Sequence, residues 1–158
     1  MIRVRWSDEM LDQDQGVFKC LNANEVKYVI IGGIAAVLHG VPRATFDLDI
    51  LIEATPDNVA RLLKALAEAG LGTASLTTVD GVLSHEISIF KDFVRVDVQT
   101  ETPGTVFVDA WRRRATMQHG DTPFFVISRA DLIATKRAAG RPVDISDVNA
   151  LEGGAPGS

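Results

Sequence analysis

Residues 27–31 (KYVII) constrain the fold most, because this short β-branched and aromatic run stops abruptly at Gly32 and Gly33. Such a run is typical of a buried strand. The apolar residues 34–39 that follow predict a short helix, which Gly40 ends and after which Pro42 prevents continuation. A buried strand that passes through a glycine pair directly into a helix indicates a domain in which strands and helices alternate.

The rest of the chain extends this pattern without an internal repeat or linker. Residues 71–84 have weak patterning and predict a loop with some strand. The stronger patterns predict a helix over residues 10–21, a strand over 47–52, a helix from Thr55 to Gly70, a hairpin of strands 86–90 and 93–99, a strand over 124–127, a helix from Ser128 to Gly140 and a last helix near 144–151. We therefore predict one α/β (α+β) domain with a mixed sheet over residues 1–151 and a disordered tail over 152–158.

Composition restricts the classes of function. A hydrophobic fraction of 46% and a charged fraction of 23% are those of a globular chain. The net charge of -5 argues against a protein held on nucleic acid by bulk electrostatics. It does not exclude a nucleic-acid substrate that is bound by a local basic patch. A single cysteine excludes an intramolecular disulfide, and no segment has the length of a signal peptide core or a membrane span. We expect a cytoplasmic protein with no membrane association.

Three aspartates lie on strands whose alternation turns them to one side. Asp47 and Asp49 alternate with core residues on one predicted strand, and Asp97 alternates with valines on another. Parallel carboxylates repel one another unless a cation sits between them. If the two strands are neighbours, the three acids converge on one patch whose hard oxygen ligands suit Mg²⁺ or Mn²⁺.

An alternating acid pair alone is more often an ordinary solvated strand than a metal site. The residues before it favour the metal site, because a glycine pair that opens a helix leaves backbone N–H groups free for a phosphate. Arg43 and Thr45 precede the aspartates and fall on the same side of an extended segment. The alternative for Arg43 is a surface salt bridge with Asp47 or Asp49.

Gly32-Gly33, thirteen intervening residues, the Asp-Leu-Asp of 47–49 and the later Asp97 together resemble the signature of the nucleotidyltransferase superfamily. The resemblance implies the nucleotidyltransferase fold, a glycine turn that holds a nucleoside triphosphate, and acids that bind two metal ions. It gives Asp47 and Asp49 the metal-bridging role, and it makes Asp97 a metal ligand and possible base.

The AbiEii-like branch of that superfamily is the more similar group. Its first motif runs from Gly-Gly through His-Gly to Arg-x-Thr-x-Asp-x-Asp, matching residues 32–49, and its last motif carries a helix lysine and then Ala-Gly-Arg-Pro, matching residues 131–142. The resemblance favours Lys136 as a neutraliser of triphosphate charge, against the alternative of a solvated helix lysine. Arg141, Asp144 and Asp147 are equally consistent with local helix capping.

The resemblance implies an enzyme that moves a nucleoside monophosphate from a triphosphate to a hydroxyl acceptor. The acceptor could be tRNA, a protein or a small molecule, and the chain could act in a toxin–antitoxin system, as a homodimer or with a partner. Residues 112–114 (RRR) could touch RNA, although a short charge run is usually a solvated face. The alternative is a non-catalytic module that keeps the fold and acts through nucleotide or partner binding. A weaker alternative is a scaffold whose acids only decorate the surface.

Overall fold

A computed structural model of the protein describes residues 5–153, and for residues 5–7 it describes the backbone alone. Six strands form one mixed sheet in the order β3-β4-β2-β1-β6-β5. The pairs β2/β4 and β1/β6 are parallel, and the other neighbours are antiparallel. The strands are β1 Tyr28–Ile31, β2 Leu48–Ile52, β3 Ile87–Lys91, β4 Arg95–Gln99, β5 Ala115–His119 and β6 Thr122–Val126. The predicted α+β class with a mixed sheet is confirmed.

Seven α-helices flank the sheet within the described residues. They are α1 Arg5–Ala23, α2 Gly32–Leu38, α3 Pro56–Glu68, α4 Val79–Leu83, α5 Phe107–Arg112, α6 Arg129–Ala139 and α7 Pro142–Glu152. Helix α1 packs against α3 and β6, while α2 packs against β2 and α6. No helix between residues 5 and 153 combines the length and the apolar character needed to cross a bilayer.

The predicted helix ends depend on local chemistry that the structure confirms. The Thr55 hydroxyl accepts a hydrogen bond from the Asn58 amide at 3.3 Å, and so it caps α3. Ser128 caps α6 in the same way through the Asp131 amide at 3.1 Å. Gly140 then ends α6 with a φ of +67°, a left-handed conformation in which glycine carries no steric penalty.

Two segments differ from the sequence prediction. Instead of a loop with some strand, residues 71–84 contain a 3₁₀ helix, Gly72–Leu76, and helix α4. Polar Ser and Thr residues in this segment act as helix caps, since Thr78 accepts a hydrogen bond from the Gly81 amide at 3.0 Å. Strand β5 was not predicted, because its sequence ATMQH lacks β-branched alternation and is held by pairing with β6. The tail was predicted to begin at residue 152, but Glu152 is the last residue of α7, and residues 154–158 lie outside the described residues.

Candidate active site

Two of the three predicted acids lie side by side on neighbouring strands. Asp49 of β2 and Asp97 of β4 are direct partners in the parallel pair. The residues that flank Asp49, Leu48 and Ile50, are fully buried, as the alternation predicts. Asp47 is exposed just before β2 begins. Two acids that are far apart in the sequence are therefore adjacent because β4 lies next to β2 in the sheet.

The contact between Asp49 and Asp97 alters the proton affinity of the site. The pKa of Asp49 is raised to about 7, first by burial of its carboxyl group and then by the charge of Asp97 and a side-chain hydrogen bond with it. Two carboxyl groups in contact require either a shared proton or a cation between them. The site therefore attracts positive charge near neutral pH.

Gly32 lies directly against the Asp49 side chain. Its φ is +69°, and a Cβ atom at this position would lie 2.3 Å from Oδ2 of Asp49 and 3.1 Å from its Cβ. Both the left-handed backbone and the close carboxylate require glycine here. The glycine pair seen in the sequence thus makes room for an acid that follows it by seventeen positions in the chain.

Substitution Gly32→Ala should displace the Asp49 carboxylate and lower the free energy of unfolding by about 2 kcal/mol or more, since the left-handed conformation alone costs roughly 1–2 kcal/mol. Urea unfolding measures the change. Gly16→Ala is the matched control, because Gly16 lies inside α1 with no atom within 4 Å of an added Cβ. That control should gain about 0.5–1 kcal/mol. Equal effects of the two substitutions would contradict the proposed close approach.

Arg95 compensates part of the negative charge. Its Nε and Nη2 atoms donate hydrogen bonds to the Asp97 carboxylate at 2.9 and 3.1 Å, and Nε lies 4.0 Å from Oδ2 of Asp47. Within residues 5–153 no three His, Cys, Asp or Glu side chains are arranged so that they could hold a metal ion as they stand. The donor set is nevertheless of the right chemistry for a hard cation, because all three acids supply carboxylate oxygens and two of them touch.

A second cluster borders the glycine pair, and we call it the ionic network: Arg43, Lys136, Arg141, Asp144 and Asp147. Arg43 donates two hydrogen bonds to Asp147, at 3.0 and 2.9 Å. The ammonium of Lys136 lies 2.8 Å from Asp147 and 3.6 Å from Asp144. Lys136 is only 5% exposed, so the alternative of a solvated helix lysine is wrong. The salt bridge expected for Arg43 exists, but its partner is Asp147 rather than Asp47 or Asp49.

The glycine pair separates the two groups, since Gly32 lies against Asp49 and Gly33 lies against Arg43 of the ionic network. A Cβ atom on Gly33 would lie 3.0 Å from the Thr45 hydroxyl and 3.2 Å from a terminal nitrogen of Arg43. At the start of α7 the Asp144 carboxylate accepts hydrogen bonds from the backbone amide of Arg141 at 3.2 Å and from its Nε at 2.7 Å, which confirms the capping interpretation for Asp144. The pKa of Arg141 is raised, chiefly by its hydrogen bond to Asp144 and further by the charge of Asp49.

Opposing effects set the protonation of the buried Asp147. Burial alone would raise the pKa of this acid, but hydrogen bonds from Arg43 and Lys136 outweigh burial and hold the pKa below its ordinary value. Asp147 is therefore a carboxylate shared by two cations from distant parts of the chain. The alternative that Asp147 only caps the helix locally is therefore wrong.

Asp14 of α1 is a feature of this region that the sequence analysis missed. Its side chain is fully buried, and within residues 5–153 neither carboxylate oxygen has a hydrogen-bond partner. Burial, followed by the charge of Asp47, raises its pKa to about 7. The sequence did contain a signal, because Asp14 falls on the apolar stripe of α1 between Met10 and Phe18.

The remaining candidates are held in structural contacts. Arg112 pairs with Asp109, Arg113 donates two hydrogen bonds to Asp131, and Arg114 stacks on the Trp111 ring. The 112–114 run is thus engaged within the fold. His39 contacts the carbonyl of Ile127 through Nε2 at 2.7 Å and so links α2 to the segment after β6.

A mixed sheet with acids on two parallel neighbouring strands, next to a strand-to-helix glycine turn, is the arrangement of a nucleotidyltransferase. The family model described as nucleotidyltransferase of unknown function (DUF6036) matches residues 9–152, and the chain belongs to that family. The match confirms the superfamily resemblance, whereas the AbiEii-like branch stays a prediction. A comparison with curated proteins found no match.

Proposed function

We propose that this chain is a metal-dependent enzyme that moves a nucleoside monophosphate from a nucleoside triphosphate to a hydroxyl acceptor. The observation that carries the proposal is the contact between Asp49 and Asp97, next to Asp47 and against the backbone of Gly32. Membership of a nucleotidyltransferase family supports it. A role in a toxin–antitoxin system in the cytoplasm belongs to the proposal through the resemblance to the AbiEii-like branch.

The three aspartates would hold Mg²⁺ or Mn²⁺, which when bound stabilises charge on the attacking and leaving oxygens of an in-line displacement. The acceptor hydroxyl oxygen forms a bond to the α-phosphorus while the bond to the bridging oxygen breaks, and pyrophosphate leaves. Asp97 accepts the hydroxyl proton as general base. Arg95 donates hydrogen bonds to both oxygens of Asp97 in this structure, so it would have to release Asp97 in part before that acid binds metal and accepts the proton.

The triphosphate would lie at Gly32 and Gly33, where α2 begins without a side-chain cap on its first amides. Thr45 lies beside Gly33 and adds a hydroxyl donor. Arg43 keeps 32% of its side chain exposed and can reach a phosphate, whereas Lys136 is enclosed. Lys136 therefore acts on the nucleotide through Asp147, by holding the carboxylate that orients Arg43.

One observation favours the alternative of a non-catalytic module. Asp97 is already paired with Arg95, and this pair must rearrange before a cation can use all three acids. A chain that binds nucleotide without turnover would keep the pair intact. Transfer of label from a triphosphate to any acceptor separates the enzyme from the module.

Thermal unfolding with Mg²⁺ and each of the four ribonucleoside triphosphates tests the site. At a ligand concentration about one hundred times the Kd, binding should contribute about 2.7 kcal/mol. For a chain of this length that corresponds to a rise in Tm of roughly 5–10 °C. The rise should require both metal and triphosphate.

The variant Asp47→Asn/Asp49→Asn should lose this rise. The double substitution Asp57→Asn/Asp80→Asn is the control, since both residues are exposed and lie outside the site. Binding that survives in the Asp47/Asp49 variant, or no rise with any triphosphate, would count against the proposed function.

A further inference from the structure

Strand β3 forms one edge of the sheet. Its hydrogen bonds to β4 show which of its backbone N–H and C=O groups have no partner within the sheet. The Glu86 carbonyl accepts a hydrogen bond from the Thr100 amide, and the Asp92 amide donates one to Val94, each at 2.9 Å. Hydrogen bonding alternates along an antiparallel pair, so the even-numbered residues of β3 face β4. The N–H and C=O groups of the odd-numbered residues 87, 89 and 91 therefore point outward.

The same odd-numbered residues turn their side chains to the face that carries the acids. Ile89 is the direct partner of Asp97, which is itself the partner of Asp49. Ile87 and Ile89 are 51% and 55% exposed, although isoleucine is usually buried. The face that carries the acids thus continues into an exposed apolar strip with free backbone groups.

A groove of about 360 Å³ accompanies this edge. It is formed between β3 and the segment that contains the 3₁₀ helix, and its lining includes Thr73, Leu76, Ile87, Ser88, Ile89 and Phe90. Leu76 is 82% exposed and adds an apolar side chain to the outer wall of the groove, beside Thr73 and Thr77. An open strand edge beside apolar side-chain pockets is the geometry that accepts an added strand.

The charges around the edge are mainly negative. Glu86 and Glu101 are exposed at one end of β3, Asp92 is exposed at the other, and Asp47 and Asp97 lie on the adjoining face. Arg95 is paired with Asp97, which leaves Lys91 as a cation on the strand itself. A polyanion needs several unpaired cations along its path. This surface instead complements a chain that is apolar and basic.

We propose that the edge of β3 binds an extended polypeptide segment, with alternating apolar and basic residues, from the protein that carries the acceptor hydroxyl. This inference rests on the proposed function and assigns it a protein acceptor rather than RNA. A strand added to β3 would lie about 10 Å from β4, given a spacing of about 4.8 Å between strands. The docked stretch therefore holds the partner, and the hydroxyl residue lies beyond it, where the chain crosses the sheet face toward Asp97.

Binding is measured first, without nucleotide. The probe is a fluorescein-labelled peptide in which lysine alternates with valine and a flexible extension at each end carries one serine, threonine or tyrosine. The control peptide has glutamate in place of lysine. We expect fluorescence anisotropy to show binding of the lysine peptide alone, weakened roughly tenfold or more by Ile89→Lys. Ile87→Lys should act in the same direction. Val108→Lys is the control, since Val108 is 69% exposed on α5 and lies outside the groove.

Label transfer from each α-³²P ribonucleoside triphosphate is measured next, with the lysine peptide or total tRNA as acceptor. We expect label on the peptide, reduced in Ile87→Lys to the same extent as binding. The Tm rise with triphosphate should be unchanged in that variant, because Ile87 pairs with Gln99 rather than with an acid of the site. If the wild-type protein shows no Tm rise with metal and triphosphate, the proposed function is refuted, whether or not the peptide binds.

An intact Tm rise without peptide binding would overturn the inference alone. Peptide binding that both Ile87→Lys and Ile89→Lys leave unchanged would also overturn it, as would label on tRNA that Ile87→Lys increases.

Discussion

Replacing Asp147 with asparagine is expected to lower the free energy of unfolding by about 3–5 kcal/mol, the range found when one partner of a buried ion pair is removed. Asp147 is 1% exposed and bridges Arg43 and Lys136, and the latter is itself only 5% exposed. Removing the carboxylate leaves the Lys136 ammonium with the more distant Asp144, at 3.6 Å. Urea unfolding near neutral pH, where Asp147 is ionised in the native protein, measures the loss.

The control for this prediction is Asp121→Asn. Asp121 also pairs with a lysine, at 3.9 Å, but its side chain is 87% exposed. An exposed pair contributes about 0–1 kcal/mol, so this variant should unfold almost as the wild type does. Adding Lys136→Met to Asp147→Asn should recover part of the lost stability, because the uncompensated charge is removed with its partner. If Asp147→Asn lowers the free energy of unfolding no more than the control does, the ionic network does not stabilise the fold.

Asp14→Asn is expected to stabilise the protein at alkaline pH. The fold raises the pKa of Asp14 to about 7 from 3.8, so the native state holds a proton that the unfolded chain releases. Stability from this group is complete below about pH 4 and is lost as pH rises through about 7. The difference in pKa corresponds to at most roughly 4 kcal/mol. We therefore expect Asp14→Asn to exceed the wild type by about 2–3 kcal/mol at pH 8 and to match it near pH 4.5.

Urea unfolding across this pH range, with EDTA present to remove divalent cations, measures the effect. The matched control is Glu101→Gln, because Glu101 is exposed and its substitution should leave the pH profile unchanged. Other acids change stability with pH in the opposite direction, as Asp131 does because a hydrogen bond from Arg113 lowers its pKa. Their contributions are the same in the variant and the wild type, so they cancel in the difference. A stability difference independent of pH would contradict a buried, protonated Asp14.

The strongest local patterns sufficed to predict most of the fold. Local interactions within a few residues determine strand β1 before Gly32, the cap at Thr55 and the start of α6 at Ser128. Such features can be predicted directly from the sequence. Strand β5 could not be predicted in this way. Its residues have little strand preference, and its conformation depends on hydrogen bonds to β6 that propensity does not encode.

The sequence by itself determined which acids form the candidate site and on which side of their strands these acids lie. Asp47, Asp49 and Asp97 were predicted to face away from the core because side chains alternate along a strand at a fixed local interval. The glycine pair and the acids after it carried the resemblance to the superfamily. Only the tertiary structure decided the partners. The pairing of β2 with β4 set Asp49 against Asp97, the packing of α7 brought Asp147 to Arg43, and the edge position of β3 left Ile89 exposed. These contacts join residues far apart in the chain, and their geometry depends on how whole elements pack, which no local pattern specifies.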